Sequence, residues 1–178
     1  MSVPAVLALR GVRRRYPDGY LLEVHKGFGS QGSNIGAGAS PILDSRLVLT
    51  AESVDNTLKF YRDILNAPVP ETTQWQKPPF GTGEMKSALS GDIGGPGRVL
   101  EVREYRNAGS KGPVQPRLQD PGATVLSFFV RNLAEVTKQV QAANLKIVTP
   151  EAKPVQMVNL DRLMIQDPNG VFVELIQE

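Results

Sequence analysis

The chain has 178 residues, of which 40% are hydrophobic and 21% charged, a composition that favours an ordinary globular protein over a disordered or coiled-coil chain. Twenty basic residues are nearly balanced by eighteen acidic ones, so the net charge of +2 gives no reason to expect a nucleic-acid partner. The absence of cysteine excludes disulfides, thiolate nucleophiles and cysteine-ligated zinc. No stretch approaches the roughly 18 apolar residues of a membrane span, and we expect a cytoplasmic protein with no membrane partner.

Residues 1–26 predict a β-hairpin. Its strands run from Ala5 to Arg14 and from Tyr20 to Lys26, around a turn at Pro17-Asp18-Gly19. The basic run Arg13-Arg14-Arg15 is interpreted as a solvated strand edge, because a nucleic-acid surface needs further basic clusters or stacking aromatics beside it.

The second strand of this hairpin carries the only histidine of the chain. Glu23 and His25 are two residues apart and therefore face the same side of the strand. They could contribute two ligands to a metal site, but no third ligand is evident nearby. A hydrogen-bonded histidine on the strand surface is the alternative.

Residues 27–41 are rich in glycine and serine and predict a flexible linker. Their first six residues, Gly27-Phe28-Gly29-Ser30-Gln31-Gly32, match the GxGxxG pattern of dinucleotide-binding proteins. That site also needs a helix directly after the glycines, to receive the pyrophosphate. The glycines that follow disfavour a helix, so we do not expect a dinucleotide.

A first cycle of strand, helix and three strands is predicted within residues 42–108. Arg46 to Thr50 is a short apolar strand. A helix follows, with Ser53 as its N-cap and Pro68 beyond its end, and its apolar positions are Val54, Leu58, Tyr61 and Leu65. The three further strands are Thr72 to Lys77, Gly83 to Leu89 and Val99 to Tyr105.

A second cycle is predicted within residues 123–178, after a connector at 109–122. It begins with a strand from Thr124 to Val130. Asn132 then caps a helix, with Glu135 placed for a capping box, and one helix face carries Leu133, Val136, Val140 and Ala143. The closing strands are Lys146 to Val148, Val158 to Ile165 and Val171 to Gln177. Both cycles therefore have the order βαβββ.

A turn followed by a carboxylate-bearing strand occurs twice. Asp167 to Leu175 repeats the pattern of Tyr16 to Val24, so Glu174 and Glu23 hold equivalent places. Glu101 lies after an apolar pair in a third such strand. The N-terminal hairpin thus looks like the end of another module, which belongs to a longer chain or is completed by a partner subunit.

The two βαβββ units, the phrase Ser53 to Leu65 and the ending Asp167 to Leu175 resemble the vicinal-oxygen-chelate superfamily. This is the group of glyoxalases, bleomycin-resistance proteins and extradiol dioxygenases. The resemblance covers roughly Leu43 to Glu178. It implies an α+β fold in which two modules form curved mixed sheets around a cleft, here with an extra N-terminal β-hairpin.

In the metal-using relatives each module supplies one ligand, often histidine, on its first strand and a glutamate on its last. By position, the resemblance places the glutamates at Glu101 and Glu174 and the first-strand ligands at Arg46 and Val125. Neither arginine nor valine can serve as that ligand, and a catalytic metal needs about three protein ligands. We therefore expect no metal. If one binds, Glu101 and Glu174 are its ligands.

The resemblance and the residues suggest a binding site for a small organic molecule. Arg46 either pairs with Glu101 or receives a carboxylate or phosphate of the ligand. Trp75, with Phe80, could stack on the ligand or belong to the core. Glu101 or Glu174 in an apolar cleft would have a raised pKa and could accept a proton.

The adjacent aromatic residues Phe128 and Phe129 must face opposite sides of their strand, one of them toward the core.

Three functions follow from these observations, with Arg46, Trp75, Glu101, Val125 and Glu174 as the predicted substrate-binding residues. The first is metal-independent binding of a small molecule. The second is a divalent-metal-dependent lyase, isomerase or dioxygenase whose catalytic residues the sequence does not name. The third is a structural or regulatory module, in which the N-terminal hairpin is exchanged between chains; for all three we expect a homodimer.

Overall fold

A computed structural model of the protein describes residues 12–15, 21–24, 46–68, 72–78, 81–90, 99–109, 116–121 and 123–178. The predicted linker at 27–41, the turn at Pro17-Asp18-Gly19, His25 and Phe80 lie outside these residues. Within the described hairpin, β1 (Val12–Arg15) pairs antiparallel with β2 (Leu21–Val24).

The first sheet has three strands in the order β3-β5-β4. Strand β3 (Arg46–Ala51) is parallel to β5 (Val99–Arg106), which is antiparallel to β4 (Glu84–Leu89). The predicted strand from Thr72 to Lys77 is wrong, because this segment forms no continuous ladder. It meets β4 through an isolated bridge between Gln76 and Met85 and a hydrogen bond from the Thr73 N–H to the Ser87 carbonyl. Two prolines directly follow Lys77, and proline cannot donate to a strand ladder.

The second sheet has four strands in the order β6-β9-β8-β7. Strand β6 (Val125–Val130) is parallel to β9 (Phe172–Gln177), and β9, β8 (Leu160–Gln166) and β7 (Val155–Met157) are antiparallel neighbours. The predicted strand at Lys146 to Val148 is reduced to one bridge between Ile147 and Ile165. The fourth strand is instead β7, which the sequence analysis did not predict.

The two helices begin at the predicted caps. In α1 (Val54–Leu65) the Ser53 Oγ accepts a hydrogen bond from the Asn56 N–H, and the helix ends at Asn66 in the left-handed conformation. In α2 (Leu133–Ala142) Asn132 Oδ1 accepts from the Glu135 N–H at 3.0 Å. Ala143 ends α2 and is exposed, so it is not part of the buried face that the spacing predicted.

One contiguous hydrophobic core joins both helices to one face of each sheet. Leu49, Leu100 and Val102 from the first sheet and Leu163, Val173 and Leu175 from the second belong to it. Tyr61 of α1 is buried and its ring lies 6.5 Å from that of Phe128 on β6. The α+β class predicted from the sequence is confirmed, with two mixed sheets and two helices. Neither helix of the described chain has the length and hydropathy that a membrane crossing requires.

The turn Asp167-Pro168-Asn169-Gly170 fixes the second sheet against α1. Asp167 Oδ1 accepts hydrogen bonds from the N–H groups of Asn169 and Val171, and Gly170 takes the positive φ that the reversal needs. Asn169 also donates to Thr57 Oγ1 at 2.8 Å and accepts from the Glu52 N–H. This turn therefore ties the second sheet to the start of α1 and to Glu52, which precedes that helix.

Candidate functional site

The faces of the sheets that point away from the helices carry the predicted carboxylates. Side chains alternate along a strand, and Leu100 and Val102 of β5 belong to the core, so Glu101 and Arg103 point to the other face. The same alternation on β9 puts Val173 and Leu175 in the core and Glu174 opposite them. Each sheet thus presents one glutamate from its central or near-central strand.

Glu101 lies between two guanidinium groups. Its Oε1 accepts from Arg103 Nε at 2.6 Å and its Oε2 from Arg46 Nη1 at 3.4 Å. The carboxylate is only 8% exposed, whereas the Arg46 side chain is 35% exposed. The predicted contact between Arg46 and Glu101 is therefore present, but Arg103, two residues further on the same strand, makes the shorter bond.

Glu174 is bound by groups from both neighbouring strands. Its Oε1 accepts from Arg162 Nη1 on β8 at 2.8 Å, and its Oε2 accepts from Ser127 Oγ on β6 at 2.7 Å. Burial works to raise the pKa of Glu174, but the hydrogen bonds from Arg162 and Ser127 and the charge of Arg162 hold that pKa below its ordinary value. The prediction of a raised pKa is therefore wrong for Glu174, which stays an ionised, paired carboxylate.

The pair formed by Glu174 and Arg162 lines a cavity of about 220 Å³ on the second sheet. Thr149 is a further polar residue of the lining. The apolar lining residues are Leu118, Val148, Pro150, Val155, Met157 and Met164. The cavity is thus an apolar recess with one ion pair and one hydroxyl in its wall, which is the usual composition of a small-molecule site.

Val125 and Phe129 lie on the same face of the second sheet as Glu174. Val125 pairs in register with Phe172 and is 40% exposed. Phe129 pairs with Ile176 and is 64% exposed, while its neighbour Phe128 packs against the core, so the predicted division of the two aromatic residues is confirmed. The residue of β6 directly opposite Glu174 is Ser127, which forms the hydrogen bond.

Trp75 lies away from the carboxylates. Its ring stacks on the Arg106 guanidinium, 4.2 Å from ring centroid to Cζ, and has Lys86 Nζ at 5.4 Å. Arg106 and Lys86 belong to the face of the first sheet that bears α1, since Lys86 binds Asp55 of that helix. The structure therefore does not bring Trp75 together with Arg46 and Glu101.

Arg103, Arg162 and the cavity were missed by the sequence analysis. The signal for Arg103 was available, because residues two apart on a strand share a face. Arg162 lies on a different strand from Glu174, and its proximity depends on a register that the sequence does not reveal.

A divalent metal does not fit the residues at these positions. Arg46 and Val125 offer no ligand atom, and Glu101 and Glu174 are each held by arginine, whose fixed charge repels a cation. In the part of the chain that the structure describes, histidine, aspartate and glutamate form no group of three that could hold a metal ion.

Comparison with known proteins now identifies the class. A model of the Glyoxalase/Bleomycin resistance protein/Dioxygenase superfamily matches residues 45–175. The chain belongs to this superfamily, as the resemblance predicted. A search of the curated proteins gave no match.

Solved structures share the fold at low identity. A glyoxalase family protein from Bacillus cereus superposes with a TM-score of 0.68 at 14% identity, over 80% of this chain and 99% of that one. The fosfomycin resistance protein FosX from Listeria monocytogenes, solved with Mn(II) and sulfate, superposes with a TM-score of 0.53 at 16% identity. The match covers 75% of this chain and 90% of that one. The trypanothione-dependent glyoxalase I of Leishmania major superposes with a TM-score of 0.54 at 18% identity. The match covers 75% of this chain and 84% of that one.

Proposed function

We propose that this protein binds a small organic molecule in the cavity beside Arg162 and Glu174, without a divalent metal. The observation that carries the proposal is the state of Glu174. It occupies the position that the resemblance assigns to a metal ligand, yet it is already neutralised by Arg162 in the wall of an apolar recess.

The charges of the two glutamate sites support metal independence. Two carboxylates, Glu101 and Glu174, face three guanidinium groups, from Arg46, Arg103 and Arg162. A divalent ion at either carboxylate would have to displace a charge-assisted hydrogen bond of 2.6 to 2.8 Å and then remain beside the freed guanidinium. Binding a cation there is therefore opposed electrostatically.

The same geometry disfavours proton transfer by Glu174. A general base works best with a pKa near the working pH, and the pKa of Glu174 is shifted in the opposite direction. Both oxygens of its carboxylate already accept hydrogen bonds. Binding without turnover is the function that this arrangement supports best.

The test combines a metal titration with a ligand titration. Calorimetric titration of Mn²⁺ into chelator-treated protein should show no saturable binding. A panel of small neutral, anionic and cationic aromatic compounds should include binders in EDTA, detected as saturable shifts in protein NMR spectra.

Cavity variants locate the bound compound. The change Val155→Trp fills the recess and should abolish the shifts, whereas Val158→Trp alters an 81% exposed residue outside the lining and should leave them unchanged. Stoichiometric Mn²⁺ binding that is lost in Glu174→Gln, with compounds bound only in its presence, would contradict the proposal and favour the metal-dependent enzyme. Absence of binding under both conditions would favour the structural module.

A further inference from the structure

Two residues that line the cavity carry buried side-chain polar atoms that have no hydrogen-bond partner among the described residues. Arg162 forms one hydrogen bond, from Nη1 to Glu174, and its Nε is buried with no partner in the part of the chain that the structure describes. Thr149 Oγ1 is likewise buried and has no hydrogen-bond partner among the described residues. Buried polar atoms without partners are uncommon and costly, and both of these belong to residues that line one recess.

We propose that the ligand of this cavity is a neutral, largely apolar molecule that carries a carbonyl-type acceptor oxygen. The oxygen accepts a hydrogen bond from the Arg162 guanidinium, which is 22% exposed, or from the Thr149 hydroxyl. This inference rests on the proposed function and adds the chemical class of the ligand to it.

The polar groups decide that the ligand oxygen is an acceptor. An arginine has five N–H donors and no acceptor, and only one donor group of Arg162 is used. The acceptor in the lining, Glu174, already receives hydrogen bonds from Arg162 and Ser127. A ligand donor would therefore compete for an oxygen that already accepts a hydrogen bond, whereas a ligand acceptor can pair with N–H groups of Arg162 that have no partner among the described residues.

The charges of Arg162 and Glu174 in the cavity lining favour a neutral ligand. Among the described residues of the cavity lining Arg162 is the only cation, and Glu174 compensates its charge at 2.8 Å. An anionic ligand would place a second negative charge beside Glu174 in an apolar recess, where like charges repel strongly and burial of an unpaired charge is costly. A cationic ligand would be repelled by the positive charge of the Arg162 guanidinium.

Three compounds of nearly the same shape test this class: acetophenone, α-methylstyrene and benzoate. Acetophenone carries the carbonyl oxygen, α-methylstyrene replaces that oxygen by a methylene group, and benzoate is anionic. Affinities are measured for the native protein in EDTA by NMR shift titration. We expect acetophenone to bind about fivefold more tightly than α-methylstyrene, the value of one net hydrogen bond, and benzoate to bind most weakly.

Two variants make the prediction specific to the cavity. Glu174→Gln removes the compensating charge from Arg162 and should reverse the preference, so that benzoate gains about tenfold or more. Thr149→Val removes the hydroxyl at nearly constant shape and should weaken acetophenone by up to about fivefold while α-methylstyrene is unaffected. Dispersed amide spectra establish that each variant is folded.

The outcomes separate this inference from the proposed function. Equal affinity for acetophenone and α-methylstyrene, or tightest binding of benzoate to the native protein, would overturn the ligand class while leaving metal-independent binding intact. Binding of the three compounds only in the presence of Mn²⁺, or failure of all three together with the wider panel, would overturn both.

Discussion

Glu101 and Glu174 occupy corresponding positions on the two sheets but have different surroundings. Glu101 is 8% exposed and held by two arginines, one from its own strand and one from the neighbouring β3. Glu174 is 16% exposed and held by a single arginine from β8 together with the Ser127 hydroxyl. The cavity described above lies beside Glu174.

The two glutamates are therefore assigned different roles, Glu101 in stability and Glu174 in the proposed binding site. Glu101 is nearly buried between Arg103 and Arg46, so loss of one of these partners leaves a buried charge poorly compensated. Among the residues that the structure describes, Arg162 pairs with a single carboxylate, Glu174, and its Nε has no partner. We therefore propose a structural role for the Glu101 cluster and a binding role for the Glu174 pair.

Arg103→Met should produce the largest loss of stability. Among the described residues it leaves the nearly buried Glu101 with only the longer contact to Arg46, and breaking a buried pair in this way costs about 3 kcal/mol. The free energy of unfolding is measured by urea denaturation. The double variant Arg103→Met with Glu101→Gln should recover at least half of the loss, and equal stability of native protein and Arg103→Met would contradict the structural role.

Arg162→Met should have a smaller effect on stability, about 1 to 2 kcal/mol, because Glu174 is more exposed and keeps its bond to Ser127. The pKa of Glu174 should rise in this variant, since the hydrogen bond and the charge that lower it are removed. Carboxyl chemical shifts followed through a pH titration measure that pKa. A loss as large as that of Arg103→Met would remove the distinction between the two sites.

Acid should remove the contribution of Glu174 to the free energy of unfolding. Because its pKa in the folded protein lies below the ordinary value of 4.5, the stabilisation is fully present above that value and is lost as the pH falls through the folded pKa. The difference in stability between native protein and Glu174→Gln, about 1 kcal/mol at neutral pH, should therefore shrink below pH 4.5. Urea denaturation at several pH values from about 3 to about 7 measures how this difference changes. A constant difference would contradict it.

Arg106→Ala should have the smallest effect. Arg106 stacks on Trp75 and pairs with Glu84, but both charged side chains are more than 40% exposed. Such surface interactions contribute about 0.5 to 1 kcal/mol, and ligand binding should be unchanged because Trp75 lies on the helix-bearing face. Weaker binding of acetophenone in Arg106→Ala would show that Trp75 takes part in the site after all.

Local signals predicted the elements of the fold well. Ser53 and Asn132 cap the helices, and the Asp167 to Gly170 turn leads into the last strand, because capping and turn formation depend on residues within four positions of each other. The segment from Thr72 to Lys77 and the strand β7 were predicted wrongly or missed. Both are short, and their pairing is decided by the edge of the sheet rather than by their own residues.

The candidate site was predicted in part. The residues Arg46 and Glu101 were placed together correctly, whereas Trp75 lies on the opposite face of its sheet. A residue in an irregular segment has no fixed alternation that assigns it to a face, so its sequence position did not predict its neighbours.

The sequence by itself determined the α+β class and the superfamily, and it placed Arg46 and Val125 on the first strands of the two sheets. Those features depend on residue identity and local spacing. Only the tertiary structure decided that Arg162 neutralises Glu174, that Arg103 and Arg46 share Glu101, and that an apolar cavity lies beside the second glutamate. Strand order and register fix those contacts, because they bring together side chains that are separated along the chain.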